Sequence, residues 1–227
     1  MKLPPMPHRW DVSPQRAIQI QRELVDRVRV EPLARPVRLV AGVDAAASRD
    51  GSEVIAGIVV WDIAARRLVQ SCLASRTASF PYVPGLLSFR EAPAVLAAVR
   101  KLPLRPDVFI FDGQGLAHPR RLGLASHLGV LMDQPSVGCA KSRLFGRHDR
   151  PGPRRGSHCP LRDPADASLI GAVLRTREAV KPVYVSIGHR VRLQDAVAVV
   201  LDCCTRYRLP EPTRLAHQLV TRHRRQR

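Results

Sequence analysis

Two aspartates, Asp44 and Asp112, each follow a run of apolar residues that is typical of a buried strand. An acid at a strand end is usually only a turn residue. If the two strands are neighbours in one sheet, however, the carboxylates lie about 5 Å apart and raise each other's pKa unless a cation lies between them. Carboxylate oxygens are ligands that Mg²⁺ prefers, and Mg²⁺ activates bound water and neutralises phosphoryl charge. The pair therefore indicates metal-assisted phosphoryl chemistry, provided that the strands are adjacent.

Glu91 is a candidate third carboxylate. It can be interpreted as half of a helix-capping pair with Ser88, three residues earlier. Pro93 favours a different interpretation, because proline is best tolerated in the first turn of a helix and predicts that the helix begins near Ala92. Glu91 would then lie at the mouth of the helix, free to point toward a cation.

The run from Phe80 to Gly85 contains two prolines around one tyrosine, Tyr82. Each proline fixes its own φ and pushes the preceding residue toward extended backbone, which predicts a stiff, protruding loop. Tyr82 could be an ordinary buried side chain beside a turn. Alternatively, it is a wedge that fills the gap left by a displaced base, since aromatic side chains stack on nucleobases. Spacing alone leaves both interpretations open.

The elements that must position these residues follow from hydrophobic periodicity. Ser13 and Pro14 predict the start of an amphipathic helix over residues 14–29. Three strands at 37–43, 54–61 and 68–74, separated by short turns, predict an antiparallel meander. Further helices are predicted at 92–102, 122–132, 193–204 and 213–222, and further strands at 107–113, 136–140 and 183–187. This order predicts one α/β domain over residues 1–227, with a mixed sheet and an N-terminal arm over residues 1–11.

The charge of the chain points to a polyanionic partner. Its 227 residues carry 37 Lys and Arg against 19 Asp and Glu, a net charge of +18, and such a surplus attracts nucleic acid. The segment from Lys141 to Asp163 places many arginines among glycines and prolines, and we expect a long irregular loop, either phosphate-binding or merely solvated. Five cysteines without a Cys-x-x-Cys pair indicate reduced thiols. With no signal-peptide-like start and no membrane-spanning stretch, we expect a cytoplasmic monomer.

Several short motifs, in this order along the chain, resemble the signature of the endonuclease V family. They cover roughly residues 12–220. The motifs are Val40–Asp44, Pro81–Glu91, Asp112–Gly115, His118–Arg120, Gly123–Gly129, Gly138–Lys141, Ser186–His189 and Pro210–Arg214.

The resemblance implies a ribonuclease H-like fold in which the first and fourth strands are adjacent. It implies that Asp44 and Asp112 bind Mg²⁺, with Mn²⁺ as a substitute, and that Glu91 acts close to the metal. Lys141 would contact the reacting phosphate, and His217 would complete the site. The other implied roles belong to a strand-separating wedge, made of Pro81, Tyr82, Val83 and Pro84, and to a base pocket, made of Leu87, Gly113, His118 and Gly123.

The implied activity is that of a Mg²⁺-dependent endonuclease in DNA repair. Such an enzyme recognises deoxyinosine, the product of adenine deamination, and nicks the strand at the second phosphodiester bond 3′ to it, leaving a 5′-phosphate. Two departures from the expected pattern stand out. Gln114 occupies a position where asparagine is expected, which changes reach more than hydrogen-bonding capacity, and residues 143–158 are unusually basic and proline-rich.

Three alternatives remain open from the sequence. The substrate could be inosine-containing RNA. The chain could instead be another ribonuclease H-like nuclease, such as a junction resolvase, which would not need the wedge. A non-catalytic nucleic-acid-binding module is disfavoured, because carboxylates within a polyanion-binding face make sense only with a metal.

Overall fold

In the computed structural model, which describes residues 1–33 and 36–226, the chain folds into a mixed sheet of eight strands with helices on both faces. The strand order is β3-β2-β1-β4-β5-β8-β7-β6. The strands are β1 Leu39–Ala47, β2 Glu53–Asp62, β3 Arg67–Thr77, β4 Val108–Phe111, β5 Ser136–Ala140, β6 His158–Arg162, β7 Leu169–Leu174 and β8 Val183–His189. The helices are α1 Pro14–Leu24, α2 Leu87–Arg100, α3 Leu124–Met132, α4 Leu193–Asp202 and α5 Glu211–Gln226.

The expected meander and the expected strand adjacency are both confirmed. Strands β1, β2 and β3 pair antiparallel, whereas β1 pairs parallel with β4, and β4 with β5. The parallel register ends with Val43 opposite Phe111, so that the next residues are Asp44 on β1 and Asp112 directly after β4. The prediction that β1 ends at Asp44 is wrong, because β1 continues to Ala47 along its longer antiparallel partner β2.

The two faces of the sheet carry different helices. Helices α2 and α3 pack on the face that contains Ala41 and Phe109, and α4 packs on the opposite face. Helix α5 also lies on that opposite face, where it crosses β1 so closely that a Cβ at Gly42 would stand 2.1 Å from the Pro212 carbonyl carbon. This close approach brings the first turns of α5 over the β1 residues that lead to Asp44.

The helix boundaries required two corrections. Helix α2 begins at Leu87 rather than near Ala92, so that Glu91 and Pro93 both lie inside it. A proline inside a helix destabilises it by about 3 kcal/mol, whereas burial of each large apolar side chain stabilises the fold by about 1.5–3 kcal/mol. Because most of α2 is buried, burial outweighs the effect of Pro93. Helix α1 has the predicted Ser13 cap but ends at Leu24, after which a single 3₁₀ turn, Val25–Arg27, follows.

Strands β6 and β7 were missed by the sequence analysis. The segment predicted as irregular, Lys141 to Asp163, ends in β6, and Arg147 forms a further bridge to Arg162. Strand β6 lies at the edge of the sheet and buries only Leu161, so it lacks an alternating apolar pattern, and its Pro160 is tolerated because edge strands leave some N–H positions unpaired. Within the described residues, no helix is long and apolar enough to cross a bilayer.

Candidate metal centre and base pocket

Asp44, Asp112 and His217 come together at the edge of the sheet where β4 ends. One ligand atom from each lies within 4.8 Å of the other two, although 173 positions separate Asp44 from His217. The His217 Nδ1 is 2.9 Å from Asp44 Oδ2, and Lys141, directly after β5, donates from Nζ to Asp112 Oδ2 at 2.5 Å. Four of the five residues expected to act in catalysis therefore form two contacting pairs, Asp44 with His217 and Asp112 with Lys141.

The electrostatics of this cluster favour a bound cation. Burial raises the pKa of Asp44, and the neighbouring Asp112 raises it further, against the opposing effect of His217 and Lys141. Burial also raises the pKa of Glu91 to about 8, with added contributions from Asp44 and Asp112. Three carboxyl groups thus compete for too little positive charge, and this oxygen-rich donor set fits a hard divalent cation.

Glu91 approaches the centre from α2, on the opposite side of the sheet from α5. It lies outside the group of atoms within 4.8 Å, but both aspartates act on its pKa. Glu91 therefore belongs to the same electrostatic unit without being an immediate neighbour of His217. This position agrees with a role close to a metal rather than in a helix cap.

A cavity of about 350 Å³ opens directly beside the acidic centre. All four residues of the expected base pocket line it, and so do Asp112 and Lys141. Three residues of the expected wedge line its rim, whereas Pro81 lies outside the lining. The lining residues predicted from the sequence are Tyr82, Val83, Pro84, Leu87, Asp112, Gly113, His118, Gly123 and Lys141.

His118 contacts this cavity as a neutral ring. Its Nε2 lies 3.0 Å from the Gly85 carbonyl oxygen, which can only accept, and its Nδ1 accepts from the Arg120 backbone N–H at 3.1 Å. Burial, reinforced by the Arg120 charge, lowers the pKa of His118 to about 4. Because both ring nitrogens are engaged, His118 can contact a ligand through its carbon atoms and not through a free N–H.

The loop from Phe80 to Gly85 is fixed at both ends. Arg90 on α2 donates to the Phe80 carbonyl at 2.7 Å, and the Gly85 carbonyl accepts from Gln21, His118 and Arg120. Tyr82, between these anchors, is 72% exposed. The alternative of a buried tyrosine is therefore wrong, and the expected protruding loop is confirmed.

Gln21 is a pocket residue that the sequence analysis did not identify. It lies on the buried face of α1 with Ala17, Ile20 and Leu24, and its amide donates to the carbonyls of Gly85 and Leu122. A polar residue on an otherwise apolar helix face was the available signal. Its amide oxygen accepts from Arg120, which explains why Arg120 is held beside the loop.

A profile of the Endonuclease V family matches residues 22–218. The chain belongs to the endonuclease V family. Endonuclease V of Trichormus variabilis is 49% identical over 95% of this chain and 97% of its own. The crystal structure of Endonuclease V from Streptomyces avermitilis is 45% identical, with a TM-score of 0.91 over 97% of both chains. Endonuclease V of Ciona intestinalis, crystallised in complex with a 24mer DNA containing an inosine followed by a ribo-adenosine, is 26% identical, with a TM-score of 0.79 over 92% of this chain and 96% of its own.

Membership of the endonuclease V family confirms the ribonuclease H-like fold expected from the resemblance, since solved members share this sheet. The unexpected Gln114 uses its longer reach to connect two loops of the site. Its Nε2 donates to the Ser142 carbonyl at 3.1 Å, which ties the loop after β4 to the loop after β5. Asp112 and Lys141 stand on these same two loops.

Proposed function

We propose that the protein is a Mg²⁺-dependent DNA repair endonuclease that cuts beside deoxyinosine, at the second phosphodiester bond on its 3′ side. One observation carries this proposal: the cavity is lined by Asp112, which belongs to the acidic centre, and by Lys141, which donates to Asp112. A base held in the cavity would therefore place its own backbone beside the carboxylates. The Ciona intestinalis relative, bound to inosine-containing DNA, supports this choice of base.

In this proposal, Asp44 and Asp112 would hold the metal, and Glu91 and His217 would complete its surroundings. Mg²⁺, or Mn²⁺ in its place, would supply an acidified water and shield the phosphoryl charge. Lys141 presents its ammonium next to Asp112, where it can contact a phosphate oxygen. His217, half-exposed, can hold or pass a proton at the ring nitrogen that does not face Asp44.

Recognition of the base rests on shape and on stacking. Leu87, Gly113 and Gly123 would surround the displaced hypoxanthine, and the neutral His118 ring would pack against it. Tyr82 would fill the gap that the displaced base leaves in the duplex, as its exposed position between two fixed anchors allows.

Inosine-containing RNA is a second candidate substrate. The DNA bound by the Ciona intestinalis relative carries a ribo-adenosine directly after the inosine. A family member therefore accommodates one 2′-hydroxyl next to the recognised base, and a 2′-hydroxyl is what distinguishes RNA from DNA at a given site.

Nicking by Asp44→Asn and Asp112→Asn variants tests the proposal. Each should cut inosine-containing duplex about a thousandfold more slowly in Mg²⁺, a loss of ~4 kcal/mol of transition-state stabilisation. Binding in Ca²⁺ should persist, because the cavity and the loop remain. Asp26→Asn, which makes the same change at an exposed position outside the site, should cut normally. Near-normal cutting by either folded site variant would contradict the assigned centre.

The same assay decides between the two substrates. Wild-type protein is given matched DNA and RNA strands, single and paired, with inosine or adenosine at one position. Faster cutting of inosine DNA than of inosine RNA supports the proposed function, and the reverse order establishes the second candidate. Equal cutting of the adenosine controls would exclude both.

A further inference from the structure

Tyr207 is the second tyrosine that the described chain presents to solvent. It lies between α4 and α5 and is 42% exposed. The guanidinium of Arg214 stands 4.3 Å from its ring centroid, and that of Arg206 stands 5.9 Å from it. An exposed aromatic ring flanked by arginines is the combination that nucleic-acid-binding surfaces use for stacking and for phosphate contact.

The guanidinium of Arg214, next to this ring, is held by a buried carboxylate. Arg214 donates from Nε and Nη2 to Glu211 Oε2 at 2.9 and 2.6 Å, and Glu211 is 5% exposed. The other Glu211 oxygen accepts from Thr205 at 2.7 Å. The ring therefore lies against a guanidinium whose orientation is set by a buried carboxylate, so Arg214 loses little conformational entropy when the surface binds a ligand.

The segment that carries Tyr207 borders the acidic centre. Arg208 donates to the Lys141 carbonyl at 2.6 Å and to the Pro182 carbonyl at 2.8 Å. Arg214 lies three residues before His217 on α5, hence one turn away on the same side of the helix. The stacking surface formed by Arg206, Tyr207 and Arg214 is thus a direct neighbour of the cutting site.

This surface and the base pocket lie on opposite sides of the centre. Helices α1, α2 and α3 contribute Gln21, Leu87 and Leu124 to the cavity, on one face of the sheet. Tyr207 precedes α5, which packs on the other face. A strand with one base in the cavity and its backbone at Asp44 and Asp112 would continue across the centre toward Tyr207.

The charge of the surface fits a polyanion. Arg206 is exposed, and Arg208 is held by carbonyl oxygens; across the described residues, neither forms an ion pair with a carboxylate. Only the Arg214 charge is compensated, by Glu211. Positive charge therefore remains beside an exposed aromatic face, where a phosphate and its base would arrive together.

We propose that Tyr207, held by Arg214 and flanked by Arg206, binds the nucleic acid strand on the 3′ side of the cut. Tyr207 stacks on one base of that flank, and Arg206 contacts an adjacent phosphate. The proposal rests on the proposed function, because it takes the path of the strand from the base pocket through the acidic centre.

The test combines Tyr207 variants with changes in the 3′ flank of an inosine-containing strand. A set of oligonucleotides carries a single abasic site at each successive position after the cut, and another set ends shortly after it. Wild-type binding in Ca²⁺ should weaken about 5–150-fold at one abasic position, the equivalent of ~1–3 kcal/mol for one stacked base. Tyr207→Ala should lose the same amount on the intact strand and nothing further on the abasic one, whereas Tyr207→Phe should behave as wild type.

The outcomes separate the two proposals. A wild-type protein that does not distinguish inosine from adenosine strands contradicts the proposed function. Inosine-specific cutting with equal affinity across the abasic series contradicts the stacking role alone. If Tyr207→Ala loses the same affinity on intact and shortened strands, Tyr207 has a structural role, and the stacking role is again contradicted.

If Tyr207→Ala does not fold, Arg206→Ala is used instead. The slope of its log binding constant against log salt concentration should fall by about 0.7 on single strands, and an unchanged slope rejects the phosphate contact.

Discussion

Glu91 holds its proton more tightly than an ordinary glutamate, because burial and two neighbouring aspartates raise its pKa to about 8. In the unfolded chain the same carboxyl has its ordinary pKa of about 4.5. Between these two values the folded state binds more protons than the unfolded state. Its contribution to stability is therefore present at low pH and is lost as pH rises toward 8, unless a cation offsets the charge.

Glu91→Gln should consequently stabilise the metal-free protein at pH 8 relative to wild type, while it impairs cutting. The excess in unfolding free energy of Glu91→Gln over wild type should grow by at most about 1.4 kcal/mol per pH unit between pH 4.5 and pH 8, because glutamine never ionises. Thermal unfolding of both proteins in EDTA, at pH 5 and at pH 8, measures this excess stability. Added Mg²⁺ should reduce the excess at pH 8, because it should stabilise wild type more than Glu91→Gln. If the unfolding free energies of the two proteins changed with pH in parallel, the pKa of Glu91 would not be raised in the folded state.

The residues of the candidate site differ in how far the sequence alone could identify them. Asp44 and Asp112 could be found locally, because each follows an apolar strand, and only the adjacency of those strands was needed to join them. His217 and Lys141 have no local signal. Their proximity depends on the packing of α5 over Gly42 and on the turn after β5, and only the family resemblance indicated them. Gln21 was missed because its partners, Gly85 and Leu122, are distant in sequence.

At the scale of elements, hydrogen bonds at both ends hold the loop around Tyr82, in addition to its prolines. Arg90 holds one end through the Phe80 carbonyl, and three donors hold the Gly85 carbonyl at the other. The tyrosine between them contacts mainly solvent. Its removal should therefore affect ligand binding far more than folding.

Tyr82→Ala should weaken binding to inosine-containing duplex by ~1–3 kcal/mol, the usual range for one base-stacking contact. Single-stranded substrate should lose less, because no gap in a duplex needs filling. Titrations in Ca²⁺ on both forms of DNA measure the difference, and Tyr82→Phe provides the matched control that retains the ring. An equal loss on the two forms would mean that Tyr82 does not act as a wedge.

Elements with a regular apolar pattern could be predicted, and elements defined by long-range pairing could not. The meander and the buried strand β4 each have the periodicity or the length of a strand. Strand β6 has neither, since it pairs on one side only and exposes most of its residues. Helix α2 begins earlier than Pro93 suggested, because tertiary burial outweighs the local cost of that proline.

At the scale of the whole molecule, several buried histidines make the fold sensitive to acid. His127 is fully buried, and its two ring nitrogens lie 2.9 Å from Ser88 Oγ and 2.9 Å from His8 Nε2. Burial, reinforced by the neighbouring His8, lowers the pKa of His127 to about 3. Burial likewise lowers the pKa of His118 to about 4 and lowers that of His189. These histidines join α3, the N-terminal arm, the loop around Tyr82 and β8, so we expect their protonation to weaken contacts between these elements.

Each of these histidines has a folded-state pKa below its unfolded value of 6.5, so its stabilising contribution is present above pH 6.5 and is lost as pH falls. We expect the unfolding free energy to drop by about 1.4 kcal/mol per pH unit for His127 alone between pH 6 and pH 4. His127→Gln should be less stable at pH 7, since the buried hydrogen bonds change, but its acid dependence should be shallower by that slope. Urea unfolding across this range checks the difference, with His158→Gln, at an exposed histidine, as the matched control. Curves for wild type and His127→Gln that stay parallel would show that His127 is not held neutral in the folded state.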